Sequence, residues 1–390
     1  MKVLSVCGLA AVLVAWAGCA SSKSSSSWTP TGDAVVDGRA AISQGPAKDK
    51  VVWQYRTALA GLRRGQYAEA KALLDDALLT IGGINANDKE AKKSRSLFSE
   101  ESRKTFRGEP YERVMAYYYR GMLYWMDGEP DNARACFRSA QFQDSDTENK
   151  QYSSDYVLLD YLDGLATVKL AGDGSDALKR AQAVSKSGPL PPYNPKANTL
   201  FFLEFGVGPT KHATGEYAEQ LRFRTTQSVV RSALIKIDGV TIQTSPFDDL
   251  SFQATTRGGR VMDHVLANKA VFKTSTDAVG NVALVSGAVL AQNRHTQEAG
   301  LGLLAFGLVS KIVSATTTPA ADTRSWSNLP QYLSFAAVEL PPGPHVATVE
   351  FLDVRGQLLP SLTKTANINT SPTRDTVVFV SDQSHTTKTL

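Results

Sequence analysis

The sequence predicts an α+β protein of two domains, helix pairs first and a β-rich part second, with an apolar helical hairpin inserted into the latter. Three observations carry this. Residues 112–142 (ERVMAYYYRGMLYWMDGEPDNARACFRSAQF) hold apolar stripes at helical spacing on either side of an Asp-Gly-Glu-Pro turn. Residues 187–195 (SGPLPPYNP) contain four prolines, which fix the backbone and remove amide donors, so no helix runs through them. Beyond them, short apolar or alternating runs separated by Gly and Pro turns read as the strands of a sandwich.

Taken in order, the chain of 390 residues opens on Met1-Lys2, an apolar run from Val3 to Ala17, and Ala17-Gly18-Cys19. The run is shorter than the ~20 residues that span a bilayer. It resembles a bacterial lipoprotein signal, residues 1–18, and the resemblance implies that Cys19 is acylated and becomes the mature N-terminus. Ala20 after it implies sorting to the outer membrane, facing the periplasm. Several acyl chains together anchor stably, because each buried CH2 contributes about 0.8 kcal/mol. Residues 19–48, with SSKSSSS near their start, read as a flexible tether.

The helical domain is expected over 49–188. Trp53, Tyr55, Ala58, Leu59 and Leu62, then Ala70, Leu73, Leu74, Ala77 and Leu78, mark a first pair around Gly65. A polar insertion follows from Gly82 to Gly108, and its charge run at Lys89–Lys93 reads as a solvated face. In the second pair, Val114, Tyr118, Gly121, Met122 and Trp125 precede Gly128, a C-terminal stop, and Pro130, a helix start; Ala133, Cys136, Phe137 and Ala140 line the return. Tyr156, Leu159, Leu162 and Leu165, then Ala177, Leu178, Ala181 and Val184, make a third pair. Gly121, Tyr124, Gly128, Ala133, Phe137 and Ala140 resemble the tetratricopeptide (TPR) pattern of small and aromatic positions. Ala70, Ala133 and Ala177 are 63 and 44 positions apart rather than ~34, so the resemblance is to a TPR-like helical-pair solenoid with insertions.

The β-rich domain is expected over 196–390 and to be sandwich-like. Strands are read at 199–205, 221–226, 233–238, 240–244, 250–255, 332–340, 345–352 and 376–380, with a hairpin signal at Asp238-Gly239 and a Pro-Pro-Gly turn at 341–343. Residues after Thr363 are Ser/Thr-rich and read as a partly disordered tail around the last strand. Two Gly-studded apolar runs, within about 278–313, form the inserted hairpin. The longer reaches roughly 22 Å, short of a bilayer core near 30 Å, so it reads either as a pair packed on the sheet or as a membrane-active or oligomerising element.

The formal charge is +4 with both signs interspersed, which gives no nucleic-acid stripe. His212, His264, His295, His345 and His385 lie far apart, none at metal-ligand spacing, and no cofactor or metal is expected. Glu204 and Asp263 are carboxylates without a visible partner, and Gly206–Lys211 reads as a strand-end turn rather than a phosphate loop. No enzyme is expected. Cys136, alone after the signal, reads as a small hydrophobe.

The stretches Phe205–Phe223 (FGVGPTKHATGEYAEQLRF) and Ala321–Pro330 (ADTRSWSNLP), with the signal, the helix pairs and the Pro-Pro-Gly turn, resemble a family of Gram-negative envelope lipoproteins that join a TPR-like N-terminal half to a β-rich C-terminal half. The resemblance covers Asp49 to about Leu352, brings no catalytic motif, and implies a role in cell-envelope or peptidoglycan assembly. The expected function is therefore a membrane-anchored periplasmic scaffold or adaptor. Its partners would be the bilayer, through acylated Cys19, and an unidentified envelope protein. The alternative is a membrane-active assembly protein using the Gly-rich apolar pair. Tyr117, Arg120, Tyr124 and Tyr161, on first helices of the pairs, are the candidate partner face. Arg324 and Trp326 read either as a turn with a core plug or as an exposed anchor, the residue types that dominate interface hot spots.

Overall fold

The computed structural model describes residues 29–86, 104–145, 150–256, 321–384 and 388–389. The residues read as a lipoprotein signal, with Cys19, the apolar runs at 278–313, Asp263, His264, His295 and His385 lie outside the described residues. The protein is α+β. Its first half is a run of helices, α1 (Ala34–Gln44), α2 (Lys50–Arg63), α3 (Tyr67–Ala86), α4 (Pro110–Met126), α5 (Pro130–Asp144), α6 (Val157–Lys169) and α7 (Ser175–Val184). Each packs on the next in chain order.

The local signals explain these elements. Pro130 opens α5 at a position whose amide would have no helical partner, and Gly128 before it takes a left-handed φ of +85° that a side chain would strain. Gly121 is required by proximity: a Cβ there would lie 2.6 Å from the Phe137 ring, so α4 and α5 approach closely only because it is absent. Helix α1 corrects the tether expectation for its part of residues 19–48. Val35, Gly38 and Ala41 form a helical stripe buried against α2, and the Asp33 carboxylate accepts the Val35 and Val36 amides at 2.9 and 3.0 Å. The Ser-rich composition around the stripe had masked it.

The second half holds β1 (Thr199–Phe205), β2 (Thr210–Thr214), β3 (Gln220–Arg224), β4 (Ser232–Ile237), β5 (Val240–Thr244), β6 (Asp248–Asp249), a short helix α8 (Leu250–Thr255), β7 (Tyr332–Val338), β8 (Gly343–Leu352), β9 (Lys364–Thr370), β10 (Thr376–Ser381) and β11 (Lys388–Thr389). One sheet has the order β10-β1-β7-β6 and a second β11-β9-β8-β4-β5, while β2 and β3 form a separate hairpin. β1 pairs with β10 in parallel and with β7 antiparallel.

Two sequence expectations fail here. LSFQAT, read as a strand, is α8, started by the Asp249 carboxylate on the Ser251 amide at 2.8 Å; six residues are too few for periodicity to decide. Lys364–Thr370, assigned to the tail, pairs with β8 along its length. Its buried positions are Ala366, Ile368 and Thr370, an alternation carried mostly by small and polar side chains and easily missed.

β1 organises the packing. Leu200 and Phe202 join an apolar cluster built from the helices, including Tyr118, Tyr119, Trp125 and Leu162. Phe201, Leu203 and Phe205, on its other face, join Ile235, Val349, Phe351 and Ile368 of the second sheet. The four-stranded sheet thus has helices on one side and the five-stranded sheet on the other, which is why TLFFLEF is buried throughout and mostly apolar rather than alternating.

Candidate functional site

Of the four helix residues expected to meet a partner, Tyr161 meets the protein's own sheet, as do Tyr119 and Trp125, which the sequence had not singled out for that role. Tyr119 packs edge-on against Phe379 with ring centroids 6.2 Å apart, Trp125 lies 6.4 Å from Phe202, and Tyr161 lies 5.9 Å from Phe335. Tyr161 is buried, and burial pushes its hydroxyl pKa up to about 12. It is a seam residue rather than a partner contact.

Charges are sewn into this seam. Glu204, at the end of β1, accepts from Arg63 Nε of α2 at 2.7 Å and from the Tyr119 hydroxyl. The ion pair's side chains are only 1 % and 7 % exposed, and a charge pair that dry needs a full set of hydrogen bonds to be tolerated. Arg63 Nη1 also donates to Gln383 at 2.8 Å, Gln383 donates to the Gly206 carbonyl at 2.7 Å, and the Gly206 amide donates to Asp382 at 2.9 Å. Burial pushes the Asp382 carboxyl up to about 6. Both Glu204 oxygens are occupied by the fold, so the carboxylate that stood alone in the sequence is a structural one. Asp248 of β6 reaches back to α6 and accepts the Val157 and Leu158 amides at 2.9 Å each, capping a helix from the sheet. Burial pushes this carboxyl up to about 7.

The stretch around Arg324 and Trp326 closes the neighbouring part of the seam, with the Trp326 ring 5.9 Å from that of Tyr119. Trp326 is fully buried and stacked on Tyr55 with centroids 4.4 Å apart, and its amide donates to Glu112 Oε1 at 2.6 Å. Lys211 holds the other Glu112 oxygen at 2.5 Å, and both side chains are buried. Arg324 donates to Asp322, to Asp49 and to the Lys48 and Lys104 carbonyls. Of the two readings of this segment, the core plug is the one observed; an exposed Arg-Trp anchor is not.

Arg120 and Tyr124 do come together, but with each other. The guanidinium sits 3.5 Å from the Tyr124 ring centroid and donates to Asp75 of α3 at 2.6 and 3.2 Å, leaving Arg120 almost fully covered. Tyr117 is half-buried, and burial raises its hydroxyl pKa. The six predicted partner residues therefore form no single surface.

An open cleft lies elsewhere, between α5, α6 and α7. It holds about 500 Å³ and is lined by Phe137, Arg138 and Gln141 of α5, by Ser154, by Asp160 and Asp163 of α6, and by Arg180, Ala183 and Val184 of α7. Asp163 accepts from Arg134 at 2.8 Å and from Arg180 at 3.3 Å, and Asp160 accepts from Arg180 at 3.3 Å. Burial raises the Asp160 carboxyl pKa against the pull of Arg180. Arg138 is exposed and makes no ion pair with any described residue. Phe142, one turn on, is 74 % exposed. Cys136 stands nearby on α5 half-buried, its thiol pushed up to about 11 by burial and so unreactive at neutral pH.

These cleft residues were not singled out in the sequence. One signal was present: Phe142 lies off the stripe that runs through Ala133, Phe137 and Ala140, as an apolar residue does when it faces out. Asp160, Asp163 and Arg180 are ordinary surface types until three helices converge. Among the described residues, no group of three or more His, Cys, Asp or Glu is placed to hold a metal ion, and no helix is long and apolar enough to cross a membrane. Comparison with known protein families, with curated proteins and with solved structures returns no match for this chain.

Proposed function

We propose that this chain is a lipid-anchored scaffold of the outer membrane, facing the periplasm, that holds a segment of another envelope protein in the cleft between α5, α6 and α7. The observation that carries the reading is the contrast between the two helix surfaces. The first-helix face is filled by the chain's own four-stranded sheet, while the α5–α7 cleft stays open, concave and lined by both apolar and charged groups. In this reading the helices form a TPR-like solenoid, supported by their pairwise packing in chain order, and the two sheets form a sandwich-like module, supported by their shared apolar layer. Anchorage rests on the short apolar run that ends at Ala17-Gly18-Cys19.

Two measurements test it. Fatty-acid labelling in cells is expected for the full chain and lost in Cys19→Ala. A photo-crosslinking residue placed at 138, 142 or 183 is expected to give one shared adduct, and at Val346, exposed on the far sheet, none. Equal adducts from Val346, or none from the cleft positions, would sink the docking surface.

A further inference from the structure

Among the described residues the charges around the cleft do not balance: three guanidiniums, those of Arg134, Arg138 and Arg180, stand against two carboxylates, Asp160 and Asp163. Arg134 is satisfied at 2.8 Å, whereas Arg180 is half-exposed and divided between two carboxylates at 3.3 Å each. Arg138 has no ion-pair partner among the described residues. Cationic capacity is therefore left over at the mouth, on a residue whose planar fork suits a carboxylate.

Apolar capacity is left over beside it. Phe142 sits four positions after Arg138, hence on the same side of α5, and presents most of its ring to solvent. Ala183 and Val184 supply apolar surface within the cleft. Arg and aromatic side chains at a concave site are the types that carry interface energy.

We infer that the cleft takes an acidic protein segment in which a carboxylate side chain, met by Arg138 and Arg180, is flanked by a bulky apolar residue that packs on Phe142 and in the cleft. This rests on the scaffold reading above and deepens it. A protein segment is favoured over an anionic lipid surface because the free charge borders a recess of about 500 Å³ rather than a convex ridge.

The test is selection of a random-peptide phage library on the full-length chain in detergent micelles. Enriched peptides are expected to carry Asp or Glu beside Phe, Leu, Ile or Trp. A synthetic peptide of the enriched sequence should lose about tenfold in affinity, on the order of 1.4 kcal/mol, when its acidic residue is changed to Lys. Arg138→Glu should lose the acidic peptide and recover binding to the Lys version, a gain that misfolding cannot imitate. Phe142→Ala should weaken both. Enrichment of basic or neutral sequences, or acidic-peptide binding indifferent to Arg138→Glu, would overturn the proposal. So would Arg138-dependent binding to phosphatidylglycerol vesicles without peptide enrichment. If crosslinks from 138 and 142 persist while the enriched peptides are not acidic, the cleft stands and only the partner class falls.

Discussion

Replacing Asp248 separates two roles that one buried carboxyl performs. It caps α6 from β6 through the Val157 and Leu158 amides, and burial holds its pKa at about 7, well above the ~3.9 of an unfolded aspartate. Between those values the native state keeps a proton that the unfolded chain has released. Its contribution is therefore fully present below about pH 4, declines as pH rises, and is gone once pH passes about 7. A difference of about three pH units at about 1.36 kcal/mol each bounds the decline at roughly 4 kcal/mol. Asp248→Asn keeps an accepting oxygen and removes the titration. Urea denaturation followed by tryptophan fluorescence should show the wild type losing stability relative to Asp248→Asn from pH 4.5 to 7.5, on the order of 2–4 kcal/mol. Asp248→Ala, which strands two buried amides, should cost about 1–3 kcal/mol for each at every pH. A wild type that gains on Asp248→Asn as pH rises would mean that the two amides outweigh burial, and the reasoning would fail.

Arg63→Met should destabilise by about 3–5 kcal/mol, because it leaves Glu204 buried without its counter-charge, whereas the Arg63→Met, Glu204→Leu pair should recover most of that in the same urea assay. Gly121→Leu forces a side chain into the Phe137 ring and should cost about 1–3 kcal/mol or more, read as a lower midpoint with an unchanged slope. Cys136 should resist a thiol reagent at pH 8 in the native protein and react at once in denaturant, consistent with a thiol at about 11.

Much of the fold was legible because its determinants are local. The Gly128 and Pro130 signals and the proline cluster after α7 act within a few residues of themselves, the Gly121 gap is filled from the very next helix, and β1 and β5 fall on the apolar and the alternating run read for them. What escaped was set by distant partners. KTANINT becomes β9 because β8 supplies a full ladder for it, and Asp248 caps a helix about 90 residues earlier in the chain. The candidate site escaped for the same reason. Aromatic residues and arginine on α4 are as compatible with packing inside the protein as with meeting a partner, and only the positions of β1, β10 and Asp75 of α3 decide between them.

The pairing of β1 with β10 carries a cost in time. α7 ends at Val184, but the strand that completes the sheet beneath the helices begins at Thr376, so 192 further residues must be made first. At about 5–20 residues per second the part of α4 that β10 covers would wait roughly 10–40 s for it. Through that interval the nascent chain has Tyr119 without Phe379, while Trp125 gains Phe202 of β1 early and Tyr161 gains Phe335 of β7 in between, so a holdase that recognises aromatic helix faces would find its substrate shrinking strand by strand.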